Sequence, residues 1–195
     1  MNVSIVPIVE GYSEVQSVPI LLRRIRDELN AYNVDISRPF RIKRNKVVLE
    51  GELEKAIRQA TRDRTNVGGF IILLDADDDC PAELGPQLLE RGKNETNIPV
   101  AVIFAMKEFE GWFLGAKESL RGISGVKTDA EAPDNPESIR GAKGCLGANM
   151  LNKRYLEVDD QPAFTAQMDL ELAEQRCPSF KKFRKDAEAL INQLK

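Results

Sequence analysis

Acidic residues follow directly after three apolar segments of this 195-residue chain. The pairs are Glu10 and Glu14 after 3–9, Asp75 and Asp77 after 70–74, and Glu108 and Glu110 after 98–106. Short apolar segments of this kind are typical of buried strands in a parallel sheet, whose ligands bind beyond the carboxyl ends of the strands. Carboxylates that lie close together repel unless a cation lies among them, and oxygen-rich sites suit Mg²⁺ or Mn²⁺. The sequence therefore predicts a divalent-cation site at one edge of a sheet.

The local spacing supports this interpretation, although each acidic pair has a simpler alternative. On an extended segment, the side chains of Asp75 and Asp77 would point the same way, about 6.5 Å apart, and could reach one cation or two adjacent ones. Gly11 would let the chain turn sharply after Glu10. Alternatively, Glu14 complements a helix dipole, and the aspartates form a surface turn. Three strands that all end in carboxylates favour a shared site.

The composition excludes several kinds of chemistry. The chain contains no histidine, which removes Ser-His and Cys-His nucleophiles and imidazole ligation of metals. Its three cysteines form no C-x-x-C pair, which argues against a zinc site or a disulfide framework. A net charge of −3 argues against a generic basic DNA-binding protein. With no visible signal peptide and no apolar segment of membrane-spanning length, we expect a cytoplasmic protein with no membrane association.

The periodicity of apolar residues predicts an α/β protein with a parallel sheet flanked by helices. Predicted strands cover 3–9, 70–74 and 98–106, with a weaker one in 38–49. Predicted helices cover 13–30, 50–64, 81–91, 108–116 and 180–194. Ser13 and Gln16 would form a capping box at the first helix, and Pro19 would kink it or delay its start. We expect an α/β core at 1–116 and, at 117–195, a loop-rich and then helical extension that packs on the core.

Basic residues near the predicted site could hold a phosphate. The candidates are Lys107, Lys143, Lys153 and Arg154. A separate basic run could contact the backbone of a nucleic acid, and it comprises Arg41, Lys43, Arg44 and Lys46. The alternative is that these are ordinary solvated surface charges.

Glu10-Gly11 after the first strand and Asp75-Ala76-Asp77 after a later strand resemble the pattern of the Toprim fold, which is shared by topoisomerases, bacterial primases and OLD-family nucleases. The resemblance covers about residues 1–115. More narrowly, three motifs together resemble an uncharacterised Toprim-like bacterial family that is often encoded beside an AAA-type or ABC-like ATPase. They are E-G-x-[ST]-E at 10–14, D-A-D-x-D at 75–79 and E-F-E-x-W-F at 108–113. That narrower resemblance continues through Lys143, Tyr155, Asp160-Gln161, Met168-Asp169 and Ser179-Phe180.

The resemblance implies roles for the acids. Glu10 would be a general acid/base or a carboxylate beside the metal, and Glu14, Asp75 and Asp77 would hold Mg²⁺. Glu108 or Glu110 would supply a further ligand. The chain provides neither a topoisomerase tyrosine domain nor a primase zinc module. The resemblance therefore implies a Mg²⁺-dependent nuclease, with Glu10, Asp75 and Asp77 as catalytic residues, that acts with an ATPase in defence against foreign nucleic acid.

Two other functions fit the same residues. The domain could be a non-catalytic module that regulates an ATPase or docks onto it. It could also be a receiver-like phosphotransfer domain in which strand-end acids bind Mg²⁺ beside a phospho-aspartate and Lys107 supplies the required lysine. The sequence leaves homo-oligomerisation open.

Overall fold

A parallel β-sheet of five strands forms the centre of the protein in the computed structural model, which describes residues 2–195. The strands are β1 Val3–Val9, β2 Val34–Ile36, β3 Phe40–Arg41, β4 Val67–Asp75 and β5 Val100–Ala105. Their order is β2-β1-β4-β5, and β3 pairs with the end of β1 through Ile8 and Val9. This arrangement confirms the predicted α/β, Rossmann-like fold.

Helices cover both faces of the sheet. They are α1 Glu14–Glu28, α2 Arg44–Val47, α3 Glu52–Arg62, α4 Pro81–Glu95, α5 Glu110–Gly115, α6 Ala142–Ala148, α7 Glu157–Gln167, α8 Leu170–Arg176 and α9 Pro178–Leu194. Successive strand residues point to opposite faces. Ile71 and Leu73 of β4 accordingly lie in one apolar core, whereas Phe70 and Ile72 lie in the other. Burial on both faces explains why the strands are continuously apolar.

The region between α1 and α3 differs from the prediction. The weak strand expected at 38–49 is only the two-residue β3, followed by the short helix α2, and β2 was not predicted. Three- and two-residue strands are too short to show an alternating apolar pattern. Because α2 follows β3 directly, Arg44 reaches the end of β4 and donates from Nε to the Asp75 carbonyl at 3.2 Å.

The start of α1 also differs. Ser13 forms no side-chain cap, and its Oγ lies 3.3 Å from Glu157 Oε1 instead. The predicted capping box is therefore wrong. Pro19 lies inside the helix, which begins at Glu14 and continues to Glu28.

The C-terminal segment is part of the same core as the sheet. Trp112 of α5 packs its ring against Phe180 and Phe183 of α9, with centroid distances of 5.2 and 5.3 Å. A Cβ atom on Gly69 of β4 would lie 2.7 Å from Cδ1 of Leu190, so glycine at this position lets α9 lie against the strand. The predicted extension at 117–195 thus shares its core with 1–116. Within residues 2–195, no helix is long and apolar enough to cross a membrane.

Candidate metal centre

Three carboxylates meet where β1 and β4 end. Glu10, Glu14 and Asp75 each offer one oxygen, and these oxygens all lie within 4.8 Å of one another. Opposite ligands of one bound Mg²⁺ or Ca²⁺ ion lie about 4–5 Å apart. The cluster therefore has the dimensions of a site for one hard divalent cation. The predicted strand-end acids Glu10 and Asp75 do lie together.

The turn between β1 and α1 explains how two acids of one motif join the cluster. Glu14 turns back, and its Oε2 accepts hydrogen bonds from the backbone N–H groups of Glu10 and Gly11 at 3.1 and 2.9 Å. A Cβ atom at position 11 would lie only 2.7 Å from Oε1 of Glu14. Glycine at this position is thus required by the position of the Glu14 carboxylate.

The other two carboxylates are also held by backbone N–H groups. Glu10 Oε1 accepts from the N–H of Asp75 at 2.9 Å, which joins β1 to β4. Asp75 Oδ1 accepts from the N–H of Phe109 at 2.8 Å, which joins β4 to the start of α5. Each acid therefore has one oxygen fixed by the backbone, and its second oxygen is left for another partner.

One of these second oxygens lacks any partner. Glu10 Oε2 is buried and accepts no hydrogen bond within residues 2–195. A buried acceptor without a partner costs about 1–3 kcal/mol, and more if it is charged. A cation coordinated by this oxygen would supply its missing partner. The donor set consists only of carboxylate oxygens, which suits Mg²⁺ or Mn²⁺. The residues thus fit the predicted ion.

Burial and mutual repulsion favour the protonated forms of these acids in the absence of a cation. Burial raises the pKa of Glu14 to about 7, with a further contribution from the charge of Glu10. Burial, followed by the charges of Glu14 and Glu10, raises the pKa of Asp75 well above its usual range. Burial likewise raises the pKa of Glu10, against the opposing effects of the Asp75 N–H and of Arg44. A divalent cation would therefore compete with protons for the site.

Glu110 lies beside the cluster and is held by side chains from the C-terminal segment. It is only 1% exposed, and its Oε1 accepts from the Tyr155 hydroxyl and from Gln161 Nε2, both at 3.2 Å. Its negative charge raises the pKa of Asp75 and of Glu14. Glu110 is thus close enough to act on the centre electrostatically, while its hydrogen bonds hold it in an outer layer.

We predict that Tyr155→Phe destabilises the protein by about 1–2 kcal/mol, because the buried Glu110 carboxylate loses one of its donors. The free energy of unfolding in urea measures the effect. Tyr32→Phe is the matched control, since Tyr32 is 64% exposed and should change stability by only a few tenths of a kcal/mol. Equal effects of the two substitutions would show that the Tyr155 hydroxyl does not support Glu110.

Two basic residues face the centre. Lys143 of α6 lies with its Nζ 2.6 Å from Glu157 and 3.9 Å from Glu110. Burial acts to lower the pKa of Lys143, but Glu110 and Glu157 hold this pKa above its usual value. The positive charges of Lys143 and Arg44 both favour ionised Glu10. Of the predicted phosphate-binding residues, Lys143 is thus placed beside the acids.

Asp77 lies at the margin of the cluster. Its φ of 49° is in the left-handed region, which aspartate tolerates, so the extended spacing expected for Asp75-x-Asp77 does not occur. Asp77 is exposed, and its N–H donates to the carbonyl of Lys107 at 3.1 Å. Its charge still acts on Glu10 and raises the pKa of that residue. Asp77 is therefore a neighbour of the three-acid cluster and does not belong to it.

The exposed rim pairs acids with bases. Lys107 donates from Nζ to the carbonyl of Asp77 at 2.9 Å and lies 3.4 Å from Asp78 Oδ1. Arg140 also binds Asp78, with its Nη1 3.3 Å from Oδ2. Sequence reasoning missed Arg140, which lies in an irregular segment and belongs to no motif. The structure thus places an additional guanidinium beside Asp78, in the exposed turn that follows β4.

The remaining predicted residues lie elsewhere. Glu108 Oε1 accepts hydrogen bonds from the N–H groups of Gly141 and Ala142 at 2.8 and 3.3 Å. This carboxylate therefore binds the N-terminus of α6. Lys153 and Arg154 are exposed, and no hydrogen bond or ion pair among residues 2–195 joins their side chains to the acids. The structure therefore brings neither Glu108 nor these two basic residues into the cluster.

The chain belongs to the family described as domain of unknown function (DUF4276), whose model matches residues 9–187. The match includes the three acids, Glu110 and the residues that support Glu110. Neither the curated proteins nor the solved structures compared with the chain gave a match.

Proposed function

We propose that this protein hydrolyses phosphodiester bonds in nucleic acid with a divalent cation, Mg²⁺ or Mn²⁺, held by Glu10, Glu14 and Asp75. The observation that carries the proposal is the cluster itself. Three carboxylate oxygens lie within 4.8 Å of one another, and the buried Oε2 of Glu10 lacks a partner. The Toprim resemblance of the motifs that supply these acids supports the choice of phosphodiester chemistry.

The residues around the cluster support hydrolysis of a phosphate ester. When bound, the cation would offset the negative charge that develops on the phosphate oxygens and make a water molecule more acidic. Glu10 would hold the cation with its buried Oε2, which has no other partner among the described residues. Lys143 and Arg140 at the rim would hold the phosphate and orient it.

The rim contacts argue against the receiver-like alternative. That mechanism requires a lysine near the carboxylate that becomes phosphorylated. Lys107 donates to the carbonyl of Asp77 and lies 3.4 Å from Asp78. Asp75 instead accepts a hydrogen bond at its Oδ1 from the N–H of Phe109. The proposal retains the ATPase partner and the role in defence, which the Toprim-like resemblance alone supports.

The test is cleavage of supercoiled plasmid and of single-stranded RNA with Mg²⁺, with Mn²⁺ and with EDTA. We expect cleavage of one or both substrates with either cation and none with EDTA. Cleavage that persists in EDTA would contradict a metal-dependent mechanism. Failure to cleave despite demonstrated cation binding would instead favour the non-catalytic module that regulates an ATPase.

A further inference from the structure

A strongly basic surface covers the open edge of the sheet at β3. Two adjoining cavities, of about 330 and 610 Å³, share Phe40 and Arg41 and lie along this edge. The basic residues that line them, named here the β3 basic surface, are Arg38, Arg41, Lys43, Lys46, Lys55 and Arg64. Among the described residues lining both cavities, Glu52 is the only acid. In a chain with a net charge of −3, this is a marked local concentration of positive charge.

The charges of the β3 basic surface are mostly uncompensated. Lys55 lies 4.0 Å from Glu52, but within residues 2–195 the other five basic residues have no carboxylate within 4.0 Å. By contrast, Lys107, Arg140 and Lys143 at the rim of the metal centre all pair with acids. Unpaired cations that lie close together repel one another, and a polyanion that binds along them removes that repulsion.

An exposed aromatic ring adjoins this surface. Tyr12 is 72% exposed, and the guanidinium of Arg41 lies over its ring at 5.5 Å from the centroid. One face of the ring is thus supported by a cation, and the exposed remainder of the ring is available for stacking. An exposed aromatic ring next to basic side chains is typical of sites that bind unpaired bases. Lysines on an edge strand can also simply prevent aggregation, but that role requires no exposed tyrosine.

The β3 basic surface leads to the metal centre. Arg41 Nη1 donates to the Glu10 carbonyl at 3.4 Å, and Tyr12 is two residues from Glu10. Arg44, which follows the basic run, contacts the Asp75 carbonyl at 3.2 Å. A chain of phosphates lying along β3 would therefore reach the three acids at the ends of β1 and β4.

We infer that the β3 basic surface binds single-stranded nucleic acid, with phosphates on the basic side chains and a base stacked on Tyr12. The inference rests on the proposed function, since the bound strand would present its next phosphate to the metal centre. The common chemistry is a single strand of phosphodiesters with unpaired bases, which DNA and RNA both provide.

Binding can be measured separately from cleavage. In an Asp75→Asn background with Mg²⁺ present, fluorescence anisotropy of labelled oligo(dT) and oligo(U) reports the affinity. We expect the triple variant Lys43→Gln/Lys46→Gln/Lys55→Gln to bind about tenfold to a hundredfold more weakly. The slope of the logarithm of the binding constant against the logarithm of the salt concentration should fall by about two, because about two fewer counterions are released on binding. The matched control, Lys93→Gln/Lys181→Gln/Lys185→Gln, removes the same charge from exposed lysines elsewhere and should change the affinity less than about threefold.

Tyr12 provides a test that does not depend on charge. Tyr12→Ala should weaken binding by about tenfold, whereas Tyr12→Phe keeps the ring and should bind like the parent.

The protein should also bind duplex DNA more weakly than it binds a single strand. Equal losses from the two lysine triple variants would overturn the inference, as would equal binding of duplex. Displacement of the strand by polyglutamate of equal charge would overturn it too, because it would indicate a general acidic ligand. Specific binding without any cleavage by the wild type would support this surface and count against the proposed hydrolase.

Discussion

Asp75→Asn is expected to lower the rate of cation-dependent cleavage by about 10³-fold or more. The substitution removes one of three anionic ligands, and the cation's stabilisation of the transition state is worth several kcal/mol, at about 1.4 kcal/mol per tenfold change in rate. The amide oxygen of asparagine can still accept from the N–H of Phe109, so the local backbone is preserved. A loss of activity would therefore report the charge rather than unfolding.

The control for this prediction is Asp129→Asn, an exposed aspartate outside the cluster. It makes the same chemical change and should leave the rate within about twofold, as expected for a surface substitution. Cleavage rates of both variants are measured with Mg²⁺ and with Mn²⁺ on the substrate that the wild type cleaves. If Asp75→Asn cleaved as fast as Asp129→Asn, the strand-end acids would not be the site.

The stability of the cation-free protein should fall by about 2.5 kcal/mol between pH 5 and pH 8. Burial raises the pKa of Glu14 from 4.5 to about 7, which means that the folded state binds this proton more tightly than the unfolded state does. Such a group contributes stability that is complete below pH 4.5 and is lost as the pH rises through about 7. The change in pKa corresponds in full to about 3.5 kcal/mol at about 1.4 kcal/mol per pH unit, of which about 2.5 kcal/mol is lost between pH 5 and pH 8. The pKa values of Asp75 and Glu10 are raised too, which acts in the same direction.

The absence of histidine simplifies the interpretation of this pH dependence. No imidazole titrates between pH 5 and pH 8, so the buried acids dominate the pH dependence. Urea unfolding at a series of pH values, in EDTA and in Mg²⁺, measures the effect. Mg²⁺ should restore most of the lost stability at pH 8 and little at pH 5, where protons occupy the site. Stability in EDTA that is flat or rises from pH 5 to pH 8 would contradict the raised pKa of Glu14.

The main elements of the fold follow from the sequence because they are long and strongly patterned. β1 and β4 are buried on both faces, and their continuous apolar segments predict them directly. The acids at their ends were predictable for the same reason, since parallel strands bring their carboxyl ends to one edge. β2 and β3 are too short to show periodicity. Gly68 and Gly69 look like a connection, but they lie within β4, where Leu190 and Leu194 of α9 occupy the space of their missing side chains.

The limits of sequence reasoning at the site are also physical. Residue spacing predicts that Asp77 joins Asp75 only if the backbone stays extended, and its left-handed conformation places it at the margin instead. Glu108 and Glu110 are equivalent by spacing. Tertiary contacts assign Glu108 to the start of α6 and Glu110 to Tyr155 and Gln161. Contacts between segments more than 30 residues apart leave no local pattern.

Isothermal titration calorimetry of the cation-free protein with Mn²⁺ tests most directly whether the three carboxylates bind a divalent cation. The wild type should bind one ion, with an affinity that increases from pH 6 to pH 8 as protons leave the acids. Glu10→Gln should weaken binding by about tenfold to a hundredfold, because Oε2 is replaced by an amide group and the charge is lost. Glu131→Gln, at an exposed position outside the cluster, should bind like the wild type. If the wild type bound no Mn²⁺, or if Glu10→Gln bound it equally well, the three carboxylates would not form a metal centre.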